Sequence, residues 1–177
     1  MALSATTTLP HSVDSVAAVL VNEDFQRHVS QLVGGNLESF TVDGDVAGAF
    51  SATSVRTLPT TRLPEIARKF VGEHLKVTQV ENWGAPEADG SRQSNISLKI
   101  AGAPVDVTAV QRLVADAGST RVELEGEVKS SVPFLGGKIA DAAEPMVARA
   151  LNLQAAQAQA WLESHRSGAA ACGSRTG

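Results

Sequence analysis

Between Arg121 and Val132 the chain alternates: Val122, Leu124, Val128 and Val132 share one parity, and Arg121, Glu123, Glu125, Glu127 and Lys129 the other. A period of two with one charged side describes an antiparallel strand with one face in water and one on a core. Pro133-Phe134-Leu135-Gly136-Gly137 breaks that strand. From Lys138 to His165 there is no glycine, and the one proline, Pro145, lies near the start. Ile139, Ala142, Ala143, Met146, Val147, Ala150, Leu153, Trp161 and Leu162 supply the apolar side of this segment, with Asp141 and Glu144 early and His165 and Arg166 late, as the helix dipole prefers. About 28 helical residues reach roughly 40 Å. No other helical segment approaches that length, so the natural partner of this helix is a wide sheet.

The remaining chain supplies one. Leu3–Leu9 reads as a strand ended by Pro10. Ser12 and Asn22 are N-caps of two short helices, with Val13, Val16, Ala17 and Leu20 on the first and Phe25, Val29, Leu32 and Val33 on the second. Gly34-Gly35 stops the second, and the period then falls to two. Leu37–Asp43 and Ala47–Leu58 form a hairpin on the Asp43-Gly44-Asp45 turn signal. A short helix, Glu65 to Val71, interrupts the sheet after the Leu58-Pro59…Leu63-Pro64 loop. Strands Leu75–Trp83, Arg92–Ala101, Val105–Ala115 and Thr120–Ser131 follow, joined by turns rich in Gly, Pro and Asp. Short links make consecutive strands antiparallel neighbours. The expected layout is one domain over residues 1–166 and a disordered tail over 167–177.

Composition narrows the function classes. Net charge is -4 from 15 basic and 19 acidic residues, without a block of like charge. With five Phe, two Trp and no Tyr, neither a nucleic-acid footprint nor a polybasic membrane anchor is expected. Cys172 is the single cysteine, so no disulfide forms within the chain and no cysteine cluster holds a metal. His11, His28, His74 and His165 are scattered, and no metal ligand set or cofactor motif is found. Residues 1–9 have neither the basic region nor the apolar core of a signal peptide, and no run reaches the roughly 18 apolar residues of a membrane span. The expectation is a soluble, cytoplasmic protein without stable membrane insertion.

Strand, two helices, six strands with one helical insertion, and a long last helix: this order resembles the START-like, or helix-grip, superfamily (SRPBCC), which includes Bet v 1-like proteins, polyketide cyclases and lipid-transfer domains. The local run Val128-Lys129-Ser130-Ser131-Val132-Pro133-Phe134-Leu135-Gly136-Gly137-Lys138-Ile139 is similar to the last-strand-to-helix junction of a bacterial branch known only as a domain of unknown function. The resemblance implies an α+β fold: a seven-stranded curved antiparallel sheet, two short N-terminal helices and a long C-terminal helix. It also implies a cavity between sheet and helix, of about 300–1,000 Å³ where such pockets hold ligands. No catalytic pattern of the enzymatic members is found here, so no catalytic residue is assigned.

The alanines of the terminal helix leave two readings open, a space for ligand or a helix seated close to the sheet. For the first, Phe50, Trp83 and Met146 are the leading wall residues, with Phe40, Ile96, Leu98, Leu124 and Val147 as apolar lining. Arg62, in the proline-bracketed loop, would meet an anionic head group. Gln79 and Glu81 share the parity of Leu75, Val77 and Trp83. A bulge that turns both to solvent is the simpler expectation; the other is that they point inward with Arg56 and Gln111 and need partners. The favoured function is non-catalytic carriage of a hydrophobic or amphipathic small molecule, lipid-, isoprenoid- or polyketide-like. The alternatives are a cyclase or dehydratase using Glu81, His74 or Arg56, and an interaction module, such as a homodimer, with a closed cavity.

Overall fold

A computed structural model describes residues 2–61, 63, 65–134 and 136–172, leaving aside the side chains of 2, 3, 66, 67, 70, 143 and 165–172. The elements run β1 (Ala2–Leu9), α1 (Val13–Leu20), α2 (Glu23–Leu32), β2 (Asn36–Gly44), β3 (Phe50–Pro59), α3 (Glu65–Val71), β4 (His74–Trp83), β5 (Arg92–Ile100), β6 (Val105–Asp116), β7 (Ser119–Ser130) and α4 (Gly136–Cys172). The seven strands form one antiparallel sheet in the order β1-β7-β6-β5-β4-β3-β2. Helix α4 crosses its inner face, against β7 and β1, and meets α1 and α2. This is the expected helix-grip arrangement.

Local chemistry accounts for the boundaries. Ser12 accepts from the Ser15 amide, and Asn22 Oδ1 from the Phe25 amide, so both short helices start where their caps stand. The β6–β7 hairpin closes between Asp116 and Ser119 on Ala117 (φ 48°) and Gly118 (φ 86°), both in the left-handed region that a two-residue turn requires. The β2–β3 connection is not the tight Asp-Gly turn expected. Gly44 pairs with Phe50, so β3 begins at Phe50 rather than Ala47. The intervening loop is held by Asp45, whose carboxylate accepts from the Ala47 amide and whose carbonyl accepts from the Gly48 amide.

The bulge is also elsewhere. Pairing of β4 with β3 and β5 runs without a shift, whereas β2 slips between Leu37 and Ser39. The extra residue, Glu38, turns to solvent, where it meets Thr57 and Lys76. The slip moves the inward parity from Leu37 to Phe40 and Val42.

Inside, packing divides into an end and a middle. At one end Phe25, Phe50, Trp83, Leu113 and Ala158 form a continuous cluster with the partly buried Trp161 and Leu162. Val107, Val128, Ile139 and Ala140 seal the other end, beneath the start of α4. The middle is thinner, with Ile96, Ala109 and Leu124 against Leu98 and Leu151. Inward-facing Gly126 keeps this part narrow, because a Cβ there would lie 2.5 Å from the Thr108 carbonyl oxygen. The charged parity of β7 is outside as expected, where Arg121 pairs with Glu123 and Lys129 with Glu127. Leu32, expected on the buried face of α2, is instead 49 % exposed. Helix α4 runs on to Cys172, past the point where a disordered tail was expected to start. Residues 173–177 lie outside the described residues.

Candidate functional site

Because β4 has no bulge, Gln79, Glu81 and Trp83 follow Leu75 and Val77 into the interior. Gln79 and Glu81 are 4 % and 5 % exposed, which corrects the expectation that both face water. Each finds the partners that burial demands. Trp83 Nε1 donates to Glu81 Oε2 at 3.0 Å, and Gln79 Nε2 donates to Glu81 Oε1. Gln79 Oε1 in turn accepts from Arg56 at 3.3 Å. Arg56 leans over from β3, where the neighbouring inward residue is the small Ser54.

Helix α2 completes the chain of bonds. Gln26 and Ser30, one turn apart, both face the sheet and are almost wholly buried. Arg56 Nε donates to Ser30 Oγ at 2.9 Å, and Nη2 donates to Gln26 Oε1. Ser30 Oγ donates to the Gln26 carbonyl, and Gln26 Nε2 to the Leu20 carbonyl. The result is one ordered path, α2–Arg56–Gln79–Glu81–Trp83. Burial pushes the Glu81 carboxyl above its usual value, opposed by its hydrogen bonds from Gln79 and Trp83 and by the Arg56 charge. Burial likewise lowers Arg56, opposed by Glu81.

Two cavities lie under α4 beside this path. One, about 130 Å³, is walled by apolar residues including Val33, Leu58, Val77, Leu98 and Leu153, with Ser30, Arg56 and Gln79 on one side. The other, about 20 Å³, lies between β1, β4–β7 and α4, and touches Glu81, Ile96, Gln111 and Leu124. Leu151 and Gln154 border both. A wider hollow of about 670 Å³ lies on the opposite face of the sheet, along Asn82, Asn95, Thr108, Arg112, Glu125 and Glu127. It is the solvated face of the alternating strands.

The residues expected to form the wall are dispersed. Ile96 and Leu124 line the smaller cavity, and Leu98 the larger. Phe50 and Trp83 stack at 5.9 Å in the filled end, with Phe40 packed beside that cluster. Val147 packs against the opposite cluster, and Met146 is partly buried without lining either cavity. Arg62 lies outside the described residues. Of the residues weighed for acid–base work, Glu81 and Arg56 are inside and His74 is exposed.

Gln26, Ser30, Gln154 and Arg92 also belong to the polar interior, beside smaller buried groups such as Ser54, Ser94 and Thr120, and the sequence pattern does not single them out. Arg92 sits over Phe50 and Trp83 at 5.2 and 5.8 Å and donates to the carbonyls of Val46, Gly48 and Gly84. It closes the filled end. Gln154 had a legible signal, since Val147, Leu151, Gln154, Ala158 and Trp161 recur at helical spacing.

A family model described as Protein of unknown function (DUF2505) matches residues 4–162. The chain belongs to that family. It is similar to the uncharacterized protein Rv0481c of Mycobacterium tuberculosis strain H37Rv, 30% identical over 107 residues. That match spans 58% of this chain and 61% of the relative, so the chain covers under two thirds of the curated relatives' length.

Solved structures agree in fold. TTHA0849 from Thermus thermophilus superimposes with a TM-score of 0.59 at 10% identity, covering 93% of this chain and 99% of that one. The Zhui aromatase/cyclase from Streptomyces sp. R1128 gives 0.58 at 12% identity, covering 92% and 93%. A norcoclaurine synthase point mutant from Thalictrum flavum, in complex with a transition-state analogue, gives 0.55 at 14% identity, covering 94% and 96%. The DUF2505 chain therefore has the helix-grip fold of the Bet v 1-like, SRPBCC proteins. No described helix is long and apolar enough to cross a membrane.

Proposed function

We propose that this DUF2505 protein binds a small hydrophobic or amphipathic molecule in the space beneath α4. The observation that carries this reading is the 130 Å³ cavity, apolar on most sides and edged by the Arg56–Gln79 end of a buried polar path. Apolar burial would supply most of the affinity, at about 25 cal/mol per Å², with the polar edge setting orientation. Size limits the occupant. A cavity of about 150 Å³ holds one benzene molecule, so an aryl ligand needs α4 to give slightly, and lipid-, isoprenoid- and polyketide-sized ligands need it to lift from the sheet. The long, alanine-rich α4 is the element to move, because the middle of the core beneath it is its thinnest part.

A second reading, acid–base chemistry of the cyclase or dehydratase type, is favoured by one observation. Glu81 is buried, its carboxyl is held up by burial, and it borders the smaller cavity.

The test is a binding screen of purified protein by ligand-detected NMR, using benzene, indole and hexanol as probes. Saturable binding that vanishes in Leu151→Trp, which fills the shared wall, is the expected result. If no probe binds, or if all bind that variant equally, the cavity has no ligand role. The catalytic reading falls if Glu81→Gln, still folded, turns over every compound the wild type does.

A further inference from the structure

Helix α4 carries three glutamines in its second half, and they differ in one respect. Gln157 meets His28 at 3.4 Å, and Gln159 donates to Glu163 at 3.1 Å. Gln154 is 8 % exposed, more deeply buried than either, yet its amide has no hydrogen-bond partner among the described residues. The amide is not sealed off: among the described residues the fully enclosed side-chain atoms without a partner are His11 Nε2, Arg92 Nε and Ser94 Oγ, so the Gln154 amide is open to whatever fills the adjoining space, water or ligand. Gln154 borders both cavities, so the vacant groups face open space.

The opposite wall also has capacity to spare. Ser30, Gln79 and Gln26 take three of the five N–H donors of Arg56, leaving two. The other polar groups there are bonded among themselves, with one Gln79 N–H left over. Ser30 accepts from Arg56 and donates to the Gln26 carbonyl; the Gln79 amide bridges Arg56 and Glu81; and both Glu81 oxygens accept, from Gln79 and Trp83. Unused at the edge of the larger cavity are two N–H groups of Arg56, one of Gln79, and the Gln154 amide with two N–H groups and one carbonyl. Donors outnumber acceptors, one of them cationic, and the rest of the wall is apolar.

Resting on the binding role proposed above, we infer that the ligand is a compact monocarboxylate, aryl or short-chain, held with its carboxylate between Arg56 and Gln154 and its apolar body against Leu58, Val77, Leu98 and Leu153. An alcohol or amine would leave Arg56 facing a weaker acceptor or none. A planar carboxylate matches both the guanidinium fork and the amide. The ligand's negative charge meets Arg56 rather than Glu81, whose oxygens are turned to Gln79 and Trp83.

Benzoate and benzene, titrated separately by calorimetry or NMR into the full chain, separate this inference from the binding role itself. Gln154→Leu keeps the volume of the side chain and continues an apolar stripe, so it should fold; Gln159→Leu, on the outer side of the same helix, is the control. We expect wild type to bind benzoate more tightly than benzene. Gln154→Leu should weaken benzoate at least tenfold while holding or tightening benzene, and Gln159→Leu should change neither. If benzene binds and benzoate does not, or if benzoate is indifferent to Gln154→Leu, the carboxylate inference is overturned and the apolar-cavity role stands. If neither probe binds wild type, both fall.

Discussion

The two halves of the space beneath α4 are built from the same sheet and the same helix, and they end differently. Toward Trp161 the sheet presents Phe50 and Trp83, α2 presents Phe25, and Arg92 caps the stack. Phe25 meets Trp161 edge-on at 5.7 Å, and Ala158 is wholly buried. There the small helix residue means close approach. One to two turns earlier α4 presents Leu151 and Gln154, the sheet presents Arg56, Gln79 and Glu81, and space remains. The alanines of α4 thus do not decide between a filled core and a cavity. The sheet residues opposite them do: large aromatics fill one region, while hydrogen-bonded polar side chains, committed to each other, cannot expand to fill the other.

That difference is open to attack by mutation. The largest effect belongs to the filled end: Phe50→Ala should cost about 3–5 kcal/mol in urea denaturation, the usual toll of an emptied aromatic site. A loss under about 1 kcal/mol would mean that this end is loosely packed. In the polar half, Arg56→Met should cost about 2–3 kcal/mol, because it leaves Gln26, Gln79 and Glu81 buried without the group that joins them. A neutral result would show that the path contributes little to the fold.

Glu81 gives the polar half a pH signature that the aromatic half lacks. Its folded carboxyl titrates above the unfolded one, so the folded state binds the proton more tightly. The stability this gives is complete below the unfolded value near 4.5 and is lost as pH rises through the raised folded value. Wild type should therefore lose stability relative to Glu81→Gln as pH rises from about 4 toward neutrality, read as diverging urea midpoints. Parallel midpoints would remove the burial effect.

Gln154→Leu should stabilise the ligand-free protein by no more than about 1 kcal/mol, since it replaces an amide with no partner among the described residues by an apolar group of similar size on a mostly buried face. Smallest is a site belonging to neither half. Phe134 is fully exposed at φ 63°, an unfavourable conformation for a bulky residue. Phe134→Asn should raise the thermal midpoint slightly, by about half a kcal/mol in stability.

How much of this could be read from the chain follows from the range of each interaction. The β6–β7 hairpin, the caps at Ser12 and Asn22 and the strand-to-helix junction are settled by neighbours a few residues apart, and they lie where the pattern put them. The polar path was half legible: parity alone sent Gln79 and Glu81 inward, but accepting that required partners. Those partners are Gln26 and Ser30, on a helix far earlier in the chain and joined through Arg56, and no local rule brings them together. The bulge lies in β2 rather than β4 for the same reason. Glu38 needed an irregularity to keep Leu37, Phe40 and Val42 all inward, which the spacing of those three residues does contain. The dispersal of Phe50, Met146 and Val147 away from the cavities depends on how far α4 sits from each strand, a property of the assembled layers.

A ligand bound as proposed meets Gln154 inside the protein. The most direct measurement is the side-chain amide resonance of Gln154 in ¹⁵N-labelled protein during a benzoate titration, assigned by comparison with Gln154→Leu. This resonance should shift saturably and show nuclear Overhauser contacts to the ring protons, while those of Gln157 and Gln159 stay in place. A Gln154 resonance unmoved at saturating benzoate, with any shifts confined to exposed residues, would put the ligand elsewhere and overturn the proposed site.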